Sequence, residues 1–400
     1  MRYIVCCLIL AVSSMNAVLA ADAATKADAA TKTVRVATFN ILELTAKKLA
    51  TVDNHGHGDH PQLMKAAEIL QRIRPDIVLI NEIDYDGPAE GGPSADRPDA
   101  ARLFLDRYLK VGQRGAEPLD YPHLFYQPVN TGVPTGLDLD NDHRADGPAD
   151  AYGFGRYPGQ YGMVLLSRFP LDAEQARTFR LFRWIDMPGA LIPDGKSGKP
   201  AFLSSEEVGR FRLSSKSHWD VPVKIGERSI HLLCSHPTPP VFDKEEDING
   251  RRNFDEIRLW ADYISGGQRA AYLKDDRGRS GGLEPDADFI VLGDLNSDPT
   301  RSDSTYGKVP IQQLFDLPRL FDPRPAKVES EKTSPTADAK DVDVLKTSHF
   351  GRLDYVLPSR TLKTKASGIF YPPQGDPLRR LVDRPNPASD HDLVWVDLEL

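Results

Sequence analysis

Phe289-Ile290-Val291-Leu292-Gly293-Asp294-Leu295-Asn296-Ser297 is an apolar run that breaks at a glycine and then presents a carboxylate and an amide two residues apart. Four apolar residues without alternation are the pattern of a strand buried on both faces. The polar pair after it either closes an Asx-type turn, for which Gly293 before and Pro299 after are well suited, or serves a site at the end of a sheet. The same grammar recurs along the chain. Thr33 to Asn40 alternates and is β-branched, which predicts a strand ending in Thr38-Phe39-Asn40. Ile77-Val78-Leu79-Ile80 runs into Asn81-Glu82, and Leu232-Leu233-Cys234 runs into Ser235-His236. Leu353-Asp354-Tyr355 and Ser389-Asp390-His391 complete six such signals.

Between them, Pro61–Ile73, Ala100–Leu109 and Arg251–Ile264 carry apolar residues at helical spacing. Tyr161–Ser167, Ser229–Cys234 and Val394–Leu398 read as further strands, and Phe182–Met187 as an apolar core strand. The class is α/β, and strands that follow one another without a helix predict antiparallel pairing beside any parallel pairing. Residues 128–160 and 324–347 are polar and read as surface insertions, because the motifs on either side share one pattern.

The 400 residues are 40% hydrophobic and 27% charged, a soluble globular balance. The net charge of −8 gives no global attraction to nucleic acid or an anionic membrane, yet leaves room for a local basic groove. Residues 1–20 read as a secretory signal: Arg2, an apolar run from Tyr3 to Val12, then Val18 and Ala20 before cleavage at Ala21. The run is short for a span, which needs about 20 apolar residues. Residues 21–32 repeat one hexapeptide and read as a disordered linker, leaving 33–400 as one domain. The expected product is a secreted or periplasmic monomer with no stable membrane anchor. It keeps only Cys234, a small buried core residue, and so has no internal disulfide.

Taken singly, each polar signal has a structural explanation: Asn40 closes a turn, Glu82 pairs with a lysine, His236 is a satisfied semi-buried histidine, Asp390 caps a helix. Together they are hard to bury without mutual pairing or a cation. Carboxylate and amide oxygens suit a hard divalent ion, Mg²⁺ or Mn²⁺, and no Cys/His cluster has zinc spacing. Phosphate-ester hydrolysis needs charge neutralisation, an aligned water and help for the leaving oxygen. Glu82 and Asn40 can hold the metal, Asp294 and Asn296 can orient or deprotonate water, His236 and His391 can donate or move protons, and Asp354 can fix a histidine tautomer.

Gly293-Asp294-Leu295-Asn296-Ser297, Ser389-Asp390-His391 and Gly162-Met163-Val164-Leu165-Leu166-Ser167-Arg168 resemble motifs of the endonuclease/exonuclease/phosphatase superfamily, in order and approximate spacing, over Val34 to Leu400. That group contains deoxyribonucleases, abasic-site endonucleases, sphingomyelinases and inositol polyphosphate phosphatases. The resemblance implies a four-layer sandwich of two mixed β-sheets flanked by helices. It implies Asn40 and Glu82 as the metal pair with Asp390 near the metal, His236 and His391 at the scissile phosphate, Asp294 and Asn296 positioning water and phosphate, and Asp354 orienting His391. Two departures stand out: the stiff Pro237-Thr238-Pro239-Pro240 after His236, and the extra acid Asp392 after His391.

Weaker signals remain. Arg251 and Arg252 open a helix and can bind phosphate, or simply pair with Asp255 and Glu256 on a solvated helix start. Asp138, Asp140 and Asp142 begin like a Ca²⁺ loop, but His143 and Ala149 replace its glycine and final glutamate, so a solvated acidic loop is favoured. Tyr152, Phe154, Tyr157 and Tyr161 either rim a substrate site or pack their loop down. Three functions compete: a phosphodiesterase such as an extracellular nuclease acting on nucleic acid; a phosphatase or phospholipase-type enzyme on inositol phosphates or lipid head groups; and a non-catalytic binding module. The retained acid, amide and histidine set argues against the third. No Arg/Lys stripe with aromatics singles out nucleic acid.

Overall fold

The computed structural model describes residues 32–89, 91, 98–193, 202–301, 308–327 and 342–400. The expected signal at 1–20, the repeat at 21–32 apart from Lys32, and most of the polar segment 324–347 lie outside them.

Eleven strands are described: β1 (Thr33–Leu44), β2 (Ile77–Ile83), β3 (His123–Phe125), β4 (Gly162–Ser167), β5 (Arg177–Thr178), β6 (His218–Ile225), β7 (Arg228–Ser235), β8 (Asp288–Asp294), β9 (Asp354–Pro358), β10 (Lys363–Ile369) and β11 (Val394–Glu399). They form a six-stranded sheet ordered β10-β11-β1-β2-β4-β3 and a five-stranded sheet ordered β5-β6-β7-β8-β9. In each sheet one central pair is parallel, β1 with β2 and β7 with β8, and every other pairing is antiparallel. Parallel neighbours need a crossover, and each pair has a helical one. Helix α1 (Pro61–Ile73) lies between β1 and β2, and helix α3 (Ile248–Ser265) between β7 and β8. Proline in its first turn starts α1, and a left-handed Arg74 ahead of Pro75 stops it.

The period of two places the layers. Ile230, Leu232 and Cys234 of β7, Ile290 and Leu292 of β8, and Val356 of β9 join the core of the six-stranded sheet. The alternate residues Leu233, Phe289, Val291, Tyr355 and Leu357 pack with Ile257, Trp260 and Ile264 of α3. Each strand thus feeds two cores, as a sheet between another sheet and a helix must. The architecture is the expected sandwich of two mixed sheets with helices outside.

The elements differ from expectation in instructive places. The helix expected at Ala100–Leu109 is regular only as α2 (Ala100–Phe104), capped by Asp99, and widens into a π-helical turn at Leu105–Leu109. The apolar stretch Phe182–Met187 is core but not strand. Trp184–Asp186 is a single 3₁₀ turn, with the Trp184 indole donating to Asp255 at 2.6 Å. Strand β6 escaped the sequence reading because Asp220 and Pro222 break its pattern. They pair with Leu233 and His231 of β7, and Asp220 meets His231 at 2.7 Å and Tyr263 of α3 at 2.5 Å.

Two core positions carry predictions. Gly293 has φ 141°, and a Cβ on it would lie 1.9 Å from the Ser235 carbonyl oxygen across the β7/β8 pair. Gly293→Ala is expected to destabilise the fold by about 3 kcal/mol through strain and overpacking, read as a lowered urea midpoint. His218, at the start of β6, is buried and held neutral: the Glu256 carbonyl accepts from Nε2 at 2.9 Å, and Nδ1 meets the Ser214 hydroxyl at 2.6 Å. Burial lowers its pKa from 6.5 to about 4, against the Glu256 charge. The unfolded chain therefore binds the extra proton first as pH falls. The stability from keeping His218 neutral is complete above pH 6.5 and is lost toward pH 4, about 3 kcal/mol in all. Urea melts of His218→Gln at pH 7 and pH 5 should show a smaller acid loss than wild type; an equal loss would refute this assignment.

Candidate active site

One end of the sandwich collects the polar residues. The parallel pairs bring the C-terminal stretches of β1, β2, β7 and β8 there, carrying Asn40, Glu82, His236 and Asp294. Their antiparallel neighbours start at the same end, so Tyr161 precedes β4, Asp354 opens β9, and Asp390 and His391 precede β11.

Asn40 ties the two sheets together. Its side-chain NH₂ donates to Glu82 Oε1 at 3.0 Å and to Asp294 Oδ2 at 3.1 Å, while its amide oxygen accepts from Leu42 N at 3.0 Å. The second oxygen of Glu82 accepts from Glu43 N at 3.1 Å, and that of Asp294 from Asn296 N at 2.9 Å. Asn296 also donates to the Pro237 carbonyl at 3.1 Å. The backbone is bent to achieve this. Leu42, Glu43, Glu82, Tyr161 and Asn296 all have φ between 50° and 67°, a region only asparagine among them tolerates readily. The β1/β2 register shifts beyond Asn40. Such outliers gather where surrounding structure over-determines them, commonly at sites.

The histidines converge on the same carboxylate. His236 Nε2 lies 3.5 Å and His391 Nε2 3.8 Å from Asp294 Oδ2. Nδ1 of His391 meets Asp354 Oδ2 at 2.8 Å, and the Thr347 hydroxyl holds that oxygen at 2.7 Å. Burial opposes charge on His391, but Asp354, Asp294 and Asp390 outweigh it and hold its imidazolium well above the usual histidine range. Burial, reinforced by Lys216 and His391, keeps His236 neutral. Burial and charge push the two ring pKa values in opposite directions, the arrangement that separates acid from base roles.

The residues fit a divalent cation. The Glu82 and Asp294 carboxylates share the Asn40 amide between them, at 3.0 and 3.1 Å; Asp354 and His391 place donor atoms within 4.8 Å of an Asp294 oxygen, although His391 can ligate only as the neutral ring. Burial raises the pKa of Glu82 and pushes Asp294 up to about 6, so negative charge here is under-compensated. A dication relieves that, and these oxygen donors suit a hard one. Half-buried Asp390 contributes charge to both Glu82 and His391.

Other expected residues lie elsewhere in the fold. Arg251 and Arg252 are buried, not solvated. Arg251 donates to the Leu191 carbonyl at 3.1 Å, and Arg252 to those of Leu213 at 2.7 Å and Arg212 at 3.0 Å, so both brace α3. Tyr161 donates to Glu43 at 3.1 Å, on the rim beside Glu82. In the acidic loop Asp150, rather than Asp142, joins Asp138 and Asp140. The Asp138 and Asp140 carboxylates accept the loop's own N–H groups from Asp142 and His143. Asp392 turns away to Lys327 at 2.9 Å.

The sequence reading missed the residues that support the site from α3. Asn253 donates to the Thr238 carbonyl at 2.8 Å and that of Leu295 at 3.1 Å, joining the His236 loop to the Asp294 loop. Glu256 accepts from Ser215 N at 2.7 Å and Thr238 N at 2.6 Å. Their signal was present: Arg251 to Glu256 is too polar for a helix whose later turns are core, and such a run is buried only when it is fully partnered.

Comparison with known proteins gives a match over residues 37–391 to the family described as "Endonuclease/Exonuclease/phosphatase family". Among solved structures, the chain is similar to an endonuclease/exonuclease/phosphatase from Beutenbergia cavernae, at 18% identity and TM-score 0.48, covering 92% of this chain and 72% of that one. It is similar to truncated TDP2 from Caenorhabditis elegans at 15% identity and TM-score 0.44, covering 92% and 98%. It is also similar to the human Nocturnin catalytic domain with bound sulfate, at 15% identity and TM-score 0.45, covering 92% and 93%. No curated protein matches.

Proposed function

This chain belongs to the endonuclease/exonuclease/phosphatase family, whose members are metal-dependent hydrolases of phosphate esters, and we propose that it is an exported Mg²⁺- or Mn²⁺-dependent phosphodiesterase, a nuclease in the simplest case. The observation that carries the reading is Asp294 Oδ2, on which Asn40, His236 and His391 converge from separate strands. Glu82, with Asn40 and Asp390 beside it, would hold the cation, which would supply charge neutralisation to the phosphoryl oxygens. Asp294 and Asn296 orient the attacking water. His391, kept charged by Asp354, donates to the phosphoryl group, and neutral His236 accepts or relays a proton.

Diester preference follows from charge. Glu43, Glu82, Asp84 and Asp390 crowd this end of the molecule, and a monoanionic diester meets less repulsion there than a dianionic monoester. A second reading, a phospholipase-type enzyme on lipid head groups, is favoured by Val241 and Phe242, which are 49% and 92% exposed just beyond the His236 loop.

Assaying the protein with Mg²⁺ or Mn²⁺, with EDTA as control, should show bis-p-nitrophenyl phosphate and plasmid DNA cut faster than p-nitrophenyl phosphate. The reverse order would replace the diesterase with a phosphatase, preferential hydrolysis of sphingomyelin vesicles would favour the lipid reading, and no metal-dependent turnover would sink the proposal. Export is tested separately: cell fractionation with N-terminal sequencing should find Ala21 first, and a cytosolic protein keeping residues 1–20 would refute it. Among the described residues no helix is long and apolar enough to cross a membrane.

A further inference from the structure

Lys216 is 94% removed from solvent, at 6% relative exposure, and lies two residues before β6. His218 pairs with Ser235, so continuing that register sets Lys216 beside Pro237, past the end of the strand that delivers His236. Burial pushes the Lys216 pKa below the usual lysine value, while Glu256, Glu82 and Asp294 favour its charged form, and that charge bears on His236. Buried lysines are ordinarily paired. This ammonium makes no hydrogen bond or ion pair with any described residue. Glu256, the carboxylate with the largest influence on it, already accepts from Ser215 N, Ser215 Oγ and Thr238 N at 2.6 to 3.1 Å.

The loop that presents Lys216 is tied to its neighbours through the backbone. Asn130 N donates to the Lys216 carbonyl at 2.9 Å, and Asn130 Nδ2 to that of Ser214 at 2.8 Å. Gly153 packs so closely that a Cβ there would lie 2.0 Å from the Ser215 carbonyl oxygen. A buried amine beside these carboxylates, hydrogen-bonded to none of them, keeps its donors for an incoming anion.

We propose that Lys216 is a catalytic residue of this site: its ammonium pairs with a non-bridging oxygen of the substrate phosphate, on the five-stranded-sheet wall of the cleft. This rests on the phosphoesterase reading above.

The test compares wild type, Lys216→Gln and Lys216→Arg in the full chain. Turnover of bis-p-nitrophenyl phosphate, inorganic phosphate binding by thermal shift and Mn²⁺ binding by calorimetry are measured on each. Lys216→Gln should lose about 100-fold or more in kcat/KM, as when an anion-stabilising donor is removed. It should also lose the phosphate-induced shift and bind Mn²⁺ no more weakly than wild type, because a positive charge near Glu82 and Asp294 has been removed. Lys216→Arg should recover most of the turnover. Without phosphate, Lys216→Gln should melt at or above the wild-type temperature, because an unpaired buried charge has been removed; a purely structural lysine would give a lower melt. An active wild type whose Lys216→Gln variant keeps full turnover and phosphate binding overturns the Lys216 assignment alone. A wild type that turns over no ester fails the phosphoesterase reading, and the phosphate arm then still decides Lys216: no difference between wild type and variant overturns it.

Discussion

Replacing Glu82 by alanine is expected to lower metal-dependent kcat/KM about 1,000-fold or more while leaving the protein folded. Cation chemistry at a phosphoryl centre is worth several kcal/mol of transition-state stabilisation, and each decade of rate is about 1.4 kcal/mol. Glu82 accepts only two hydrogen bonds among the described residues, from Asn40 and Glu43. Burial raises its pKa, so in the metal-free protein the carboxylate is a burden on stability. Metal-free Glu82→Ala should therefore melt no lower than wild type, yet lose most of the stabilisation that Mn²⁺ confers on the wild type. Steady-state kinetics and thermal melts with and without Mn²⁺ read both effects. Turnover within tenfold of wild type would remove Glu82 from the metal site.

The second large effect is expected at the His391–Asp354 pair. His391→Ala should cost about 1,000-fold in kcat, within the range for a proton-transferring or charge-stabilising group. Asp354→Asn should cost about 100-fold and also change the pH dependence. Asp354 leads the groups that overcome burial and raise the His391 pKa. The charged imidazolium is therefore present at neutral pH and is lost only as pH rises through that raised value. Without the Asp354 charge the alkaline fall in rate should move to lower pH, because less counter-charge remains to offset burial. A bound cation weakens the help from Asp294 and Asp390, which leaves Asp354 the more decisive. An alkaline limb that stays in place in Asp354→Asn would show that His391 does not titrate in the rate.

Much of this was legible in the sequence because doubly buried strands announce themselves. Ile77–Ile80 and Phe289–Leu292 are apolar without alternation, and the polar residues that follow them fall within one cluster. Strands with a polar interior were not legible. Asp220 and Pro222 hid β6, and with β6 hidden nothing suggested that Lys216, just before it, comes near His236, just after β7. Antiparallel pairing carries residues that precede one strand to the end where its neighbour finishes, and periodicity alone does not report that. Arg251 and Arg252 were misplaced for a related reason. A charged helix start reads as solvated, whereas here the loop carbonyls of Leu191, Arg212 and Leu213 surround it.

The last strand in chain order has a consequence for timing. β11 inserts between β10 and β1, in the interior of its sheet, and the residues just before it are Asp390 and His391. A ribosome or a translocation channel that delivers the chain from its N-terminus releases Asn40, Glu82, His236 and Asp294 long before that strand. Until β11 docks, one side of β1 is an open edge and Asp354 has no imidazole to hold. The partly emerged chain lacks one histidine of its cleft, so activity should appear only once β11 is in place.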